Sequence, residues 1–211
     1  YSNDPERNHE HYFRNTHDFN LYTDLSKAYE NFFHTLNLGV NYVLPGAKSG
    51  KITQDYLEEY DKENEHTSLY AVQYFYNNEG QKKLKHRISL DYLNKQNKFY
   101  ELENLLTYYF NENINLNSEV LYSYEQSRFT NVISQIEVNT NSKFNWMFSH
   151  AYQNDEYGKY SFIGTRANYI ATPNYNLFGG IWFDTQRAHA NMWELGYTYQ
   201  RKCWNYSLMY R

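Results

Sequence analysis

Few residues in this chain have the types and spacing that reaction chemistry needs. His9-Glu10-His11 would place two imidazoles on one face of a strand, as a metal site could. No third ligand follows at a telling spacing, so a solvated segment is the simpler reading and no metal is assigned. Ser149-His150 has the composition of a nucleophile and its base. Neighbours along a strand point to opposite faces, so these two cannot hydrogen-bond each other. His150 would need a serine on another strand, as in a membrane phospholipase barrel. Glu101 and Glu103 share a face, but glycosidase chemistry needs a cleft and a defined separation, and charge on a wet wall explains them as well. Gly179-Gly180 fits no nucleotide motif and reads as a bend or close approach inside a strand. No catalytic residue and no cofactor is assigned, and the chain is not expected to be an enzyme. Cys203 stands apart. It is the single cysteine, in the short basic turn Arg201-Lys202-Cys203, and cannot close an internal disulfide. It is a buried small hydrophobe, a free thiol, or half of a bridge to a segment outside the chain. Two adjacent cations argue against burial.

The elements that would position these residues are strands. Residues 193–210 show the unit: Trp193, Leu195, Tyr197 and Tyr199 alternate with polar residues, the turn at 201–203 intervenes, and Trp204, Tyr206, Leu208 and Tyr210 resume the alternation. About twelve such segments follow from Phe19 onward. They include 18–28, 32–44, 67–77, 83–93, 99–110 and 114–124. Others are 130–139, 144–153, 160–171 and 175–184. Residues 1–16 lack periodicity and read as a polar entry segment. Residues 17–211 read as one barrel region, with a long external connection at 45–66 and a second charged connection at 153–159. On the third strand Tyr70, Val72, Tyr74 and Tyr76 are expected on the apolar side.

Composition narrows the class. The chain has 211 residues, 41% hydrophobic and 20% aromatic, with 25 Tyr and 13 Phe. Mean hydropathy is nonetheless strongly negative. Disordered chains are poor in aromatics, and a sandwich core needs more aliphatic residues. Polarity together with aromatic richness fits a barrel with a wet inside and aromatic girdles outside. A net charge of −4, with mixed signs, gives no basic footprint for nucleic acid. No apolar run is long enough for a transmembrane helix, and the absence of an initiator Met and of a signal peptide suggests a mature protein or a fragment.

The charges decide the face. Lys85, Arg87, Asp91, Glu101, Glu103, Glu119, Glu137 and Arg166 all lie opposite the apolar set of their own strand, as do Asp24, Asp184 and Glu194, and a one-residue slip would reverse this. The first eight are the lumen-facing candidates. Tyr100, Tyr108, Phe110, Trp146, Trp193 and Trp204 are the expected lipid-facing girdle. His34, His86, Asn104 and His150 fall on the apolar side and fit less well. Connections after odd-numbered strands are short, which places 29–31, 111–113, 172–174 and 201–203 on the periplasmic side, where disulfides persist. The expected fold is all-β: an antiparallel transmembrane β-barrel of about twelve strands, or a large part of one, in a Gram-negative outer membrane. Two other readings stay open: a complete twelve-stranded porin, translocator or phospholipase barrel, and a soluble carbohydrate-binding β-sandwich.

The segment R-K-C-W-N-Y-S-L-M-Y-R at 201–211, near the end of a Tyr-rich barrel, resembles the C-terminal region of the LptD family of lipopolysaccharide-assembly outer-membrane proteins. So does F-F-H-T-L-N-L-G-V-N-Y-V-L-P-G at 32–46, a strand running into a Pro-Gly loop. The resemblance implies that the chain is the C-terminal part of a larger barrel, with a disulfide from Cys203 to an N-terminal periplasmic domain absent from this chain. Many family members carry two adjacent cysteines there; here Trp204 follows Cys203. It further implies lipopolysaccharide or lipooligosaccharide as cargo, membrane lipids as surroundings, an LptE-like lipoprotein plug, a periplasmic transport-bridge protein, and a lateral gate in the barrel wall.

Overall fold

In a computed structural model, which describes residues 13–49, 65–141, 143–155 and 158–211, the chain is all-β. Twelve strands form one antiparallel meander in strict chain order. They are β1 (Phe13–Ala28), β2 (Phe32–Ser49), β3 (His66–Asn77), β4 (Lys82–Leu93), β5 (Lys98–Asn111) and β6 (Ile114–Ser123). The second half comprises β7 (Arg128–Asn141), β8 (Phe144–Asp155), β9 (Gly158–Thr172), β10 (Tyr175–Asp184), β11 (His189–Gln200) and β12 (Asn205–Tyr210). Each strand pairs only with its chain neighbours, so the sheet is barrel-like but not closed: β1 and β12 each have one paired edge. No second sheet packs on it among the described residues, which removes the two-sheet sandwich.

The widest differences from the expected strand limits are at β1 and β2. β1 begins at Phe13, inside the expected entry segment, and β2 continues to Ser49, inside the expected long connection. The charged stretch 153–159 is not a long connection. Asn154 pairs with Lys159 and Asp155 with Gly158, so the ladder runs through it. Charge there resembles a loop, but side chains at the mouth of a sheet can be solvated without leaving the ladder. The pair His9 and His11 lies outside the described residues.

Register fixes which residues share a face. One row runs Leu21, Val40, Leu69, Leu90, Leu102 and Tyr122 across β1 to β6. The opposite face carries Asp24, Asn37, Val72, Arg87, Leu105 and Glu119 in one row. β3 is therefore turned over relative to expectation. Tyr70, Val72 and Tyr74 pair with Ser89, Arg87 and Lys85, and Tyr76 with Lys82, on the polar face; Leu69, Ala71 and Phe75 lie with the apolar rows. Both faces of β3 are apolar, and only pairing with β2 and β4 chooses between them.

The polar face is the concave one. Every buried side chain of note lies there: Val43, Ser89, Leu93, Ser123, Phe178, Asp184 and Glu194. Side chains crowd on the inside of a curved sheet and splay on the outside. Consistent with this, the Tyr70 hydroxyl reaches over β2 and donates to Asn20 Oδ1 on β1 at 3.0 Å. The convex face exposes large apolar residues from edge to edge, including Leu21 at 77% and Leu195 at 64%, and no second layer packs against them among the described residues.

Candidate functional site

The concave face brings together all eight lumen-facing candidates, several of them held by hydrogen bonds or ion pairs. Ser89 donates to Glu103 at 3.0 Å, and Arg87 lies 3.6 Å from the same carboxylate. Asn131 donates to Glu119 at 2.9 Å. Asn115 and Gln135 both donate to Glu137. Lys85 stands opposite Thr107, Asp91 opposite Ser68 and Glu101 opposite Ser123. Arg166 pairs with Glu194 at 3.2 Å, and Arg211 approaches the other Glu194 oxygen at 3.9 Å. The carboxylates gather on β4 to β7, and the arginines Arg166 and Arg211 lie across β9 to β12. Such a wall offers donors and acceptors to a polyhydroxylated solute. Among the described residues no cluster of three potential metal ligands forms.

Sequence reasoning missed the aromatic floor of this face. Trp182 lies flat across two glycines: a Cβ at Gly164 would sit 2.5 Å from its ring, and one at Gly180 2.7 Å. Phe178 lies over Gly196, where a Cβ would come within 2.6 Å of the ring, and the Arg166 guanidinium stands 5.7 Å from the Phe178 centroid. Tyr70 likewise covers Gly39. The visible signal was a glycine on each of four strands; for Gly39, Gly164 and Gly196 the covering aromatic sits on a neighbouring strand and emerges only from register, whereas Gly180 is covered by Trp182 of its own strand.

The convex face holds the girdle. Tyr108, Phe110, Trp146 and Trp193 fall in or alongside its apolar rows, Tyr100 sits beside the β4–β5 bulge, and Trp204 packs on Tyr199 with centroids 5.4 Å apart. Rings cluster at both ends of the strands. Tyr92, Phe99, Tyr124, Tyr122 and Phe129 form a chain at one end, and Tyr29, Phe32 and Phe75 at the other. From Phe99 to Tyr108, nine steps of about 3.3 Å tilted about 45° cover roughly 21 Å, close to the apolar band of outer-membrane barrels.

The polar residues on the convex face form a chain. His34 Nε2 meets Gln73 Oε1 at 3.2 Å, Gln73 Nε2 meets His86 Nδ1 at 2.8 Å, and His86 Nε2 meets the Asn104 amide at 3.0 Å. Each satisfies the next, which lowers the cost of presenting them to an apolar medium. Lys27 keeps its ammonium 4.9 Å from the Tyr29 ring at the strand end. Ser149 and His150 do face opposite ways. His150 Nε2 instead lies 3.4 Å from Ser161 Oγ on β9, and no third side chain among the described residues completes a triad with them.

Cys203 is exposed in the turn between β11 and β12, closed by the hydrogen bond from Arg201 N to Trp204 O at 2.8 Å. Arg201 Nε donates to the Tyr199 hydroxyl at 2.7 Å, and that hydrogen bond raises the guanidinium pKa. Neither a protein-family model nor a curated protein matches the chain.

Proposed function

We propose that this chain forms part of the wall of a Gram-negative outer-membrane β-barrel that delivers lipopolysaccharide or lipooligosaccharide to the cell surface. The observation that carries the reading is one curved sheet with a hydrogen-bonding concave face and an unpacked apolar convex face ringed by aromatics at both ends. An exposed apolar face of that extent needs lipid against it. Two further features support the cargo: the resemblance of 32–46 and 201–211 to the LptD family, and the exposure of Cys203 in a turn, ready for a bridge to another segment. In this reading the concave wall, with Lys85, Arg87, Asp91, Glu101, Glu103, Glu119, Glu137 and Arg166, hydrates the saccharide. The acyl chains leave sideways through a seam in the wall, and no covalent bond changes. A lipoprotein plug in the lumen and a periplasmic transport-bridge protein are the partners implied.

Non-reducing electrophoresis of the full-length protein and its Cys203→Ser variant tests the bridge. The wild type should shift in mobility on reduction, and the variant should not. A shift that persists in the variant removes Cys203 from the disulfide. Cargo is tested separately: depletion of the protein should lower surface-exposed lipopolysaccharide, and unchanged surface glycolipid would overturn the transport reading.

A further inference from the structure

The concave face of β7 to β11 carries more than a hydrated wall. At its turn-side end a cavity of about 500 Å³ is lined by Asn113, Asn139, Asn145, Asn168 and Asn176, together with Lys143 and two apolar residues. Asn145 donates to Asn139, while Asn176 Oδ1 is buried and accepts no hydrogen bond. Further along the same face lie the flat rings of Phe178 and then Trp182, each spread over glycine on an adjoining strand. Trp182 retains partial exposure, whereas Phe178 is buried beneath the Arg166 guanidinium. Asn176 and Trp182 lie six steps apart along β10, a span of roughly 20 Å.

We propose that this strip is an oligosaccharide-binding track, with the amide cavity at one end and the Trp182 ring as its stacking platform at the other. Amides are paired donors and acceptors that match vicinal hydroxyls and carry no charge to desolvate, and the one charged lining residue, Lys143, is exposed. A ring held flat against the sheet offers its open π-face to the C–H face of a pyranose. The glycines are what let it lie flat, because any Cβ at Gly164 or Gly180 would lift the indole. Glycine cover alone would explain flat rings, but it would not explain an amide-lined cavity on the same face with an unmatched acceptor. The proposal deepens the transport reading by naming where the saccharide part of the cargo rests.

The test is calorimetric titration of the full chain in detergent with two probes, deacylated lipopolysaccharide core oligosaccharide and maltohexaose. Saturable binding of the core oligosaccharide is expected. It should be weakened at least tenfold by Trp182→Leu and several-fold by Asn168→Ala, and left unchanged by Trp146→Phe on the convex face. Asn168→Ala keeps the test informative if Trp182→Leu does not fold. Binding of maltohexaose alone, with the same variant pattern, upholds the track and counts against the glycolipid reading. Binding of neither probe, or wild-type affinity in both Trp182→Leu and Asn168→Ala, overturns the track, while the surface-glycolipid assay still judges the transport reading on its own.

Discussion

At the scale of single residues, the clearest tension lies in the three left-handed positions that end four-residue turns: Asn97, Ser127 and Ala188, with φ of 52°, 50° and 53°. Asn adopts this region readily; Ala does so at a cost of about 1–2 kcal/mol, whereas Gly does so freely but loses more entropy on folding. The difference favours Ala188→Gly by roughly 0.5–1 kcal/mol, read as a higher midpoint in urea unfolding; a lower midpoint would show that the turn does not hold this conformation. A second residue-scale prediction concerns the convex chain His34–Gln73–His86–Asn104. His86→Leu leaves two amides without their partner and should destabilise by about 1–2 kcal/mol. The quadruple change His34→Leu, Gln73→Leu, His86→Leu, Asn104→Leu should recover most of that loss in lipid, because no unmatched member of the chain remains. Additive losses instead would mean that the four side chains are not coupled. The chain was not legible from the sequence: each member stood as an isolated exception until register placed the four side by side.

At the scale of the element, β3 shows what pattern alone can and cannot decide. Alternation identified the strand, and its limits fall within one residue of the expected 67–77. Its face was misassigned because Tyr70, Val72, Tyr74 and Tyr76 are more conspicuous than Leu69, Ala71, Gln73 and Phe75, while the sheet orders them by pairing rather than by hydrophobicity. Strands β4 to β8 were easier, since charges such as Arg87, Glu103 and Glu137 mark one side unambiguously. The orientation of β3 is directly measurable. Cysteines introduced singly at Tyr74 and Leu69, in a Cys203→Ser background reconstituted in liposomes, should differ in reaction with a charged maleimide. Tyr74→Cys should label and Leu69→Cys should be protected. The reverse order would return β3 to the face expected from its aromatics.

At the scale of the whole molecule, the sequence disclosed the strand number, the meander order and the segregation of charge, because each depends on local alternation and short turns. It could not disclose curvature, the open edges of β1 and β12, or the aromatic floor, since these depend on atoms brought together from different strands. The same segregation yields the sharpest whole-molecule prediction. Of the four tryptophans, Trp146 and Trp193 lie on the convex face at 38% and 45% exposure, Trp182 lies on the concave face, and Trp204 sits in a turn. If the convex face meets hydrocarbon, phospholipids brominated along their acyl chains should quench variants retaining only Trp146 or only Trp193. A variant retaining only Trp182 should escape that quencher but respond to aqueous acrylamide, because its ring lies over Gly164 and Gly180 on the hydrated side of the wall. A sheet whose apolar face is instead covered by protein would leave all of them insensitive to brominated lipid. A sheet inserted with the opposite curvature would exchange the two responses. The experiment thus separates the membrane reading from both alternatives without reference to cargo, partner or disulfide.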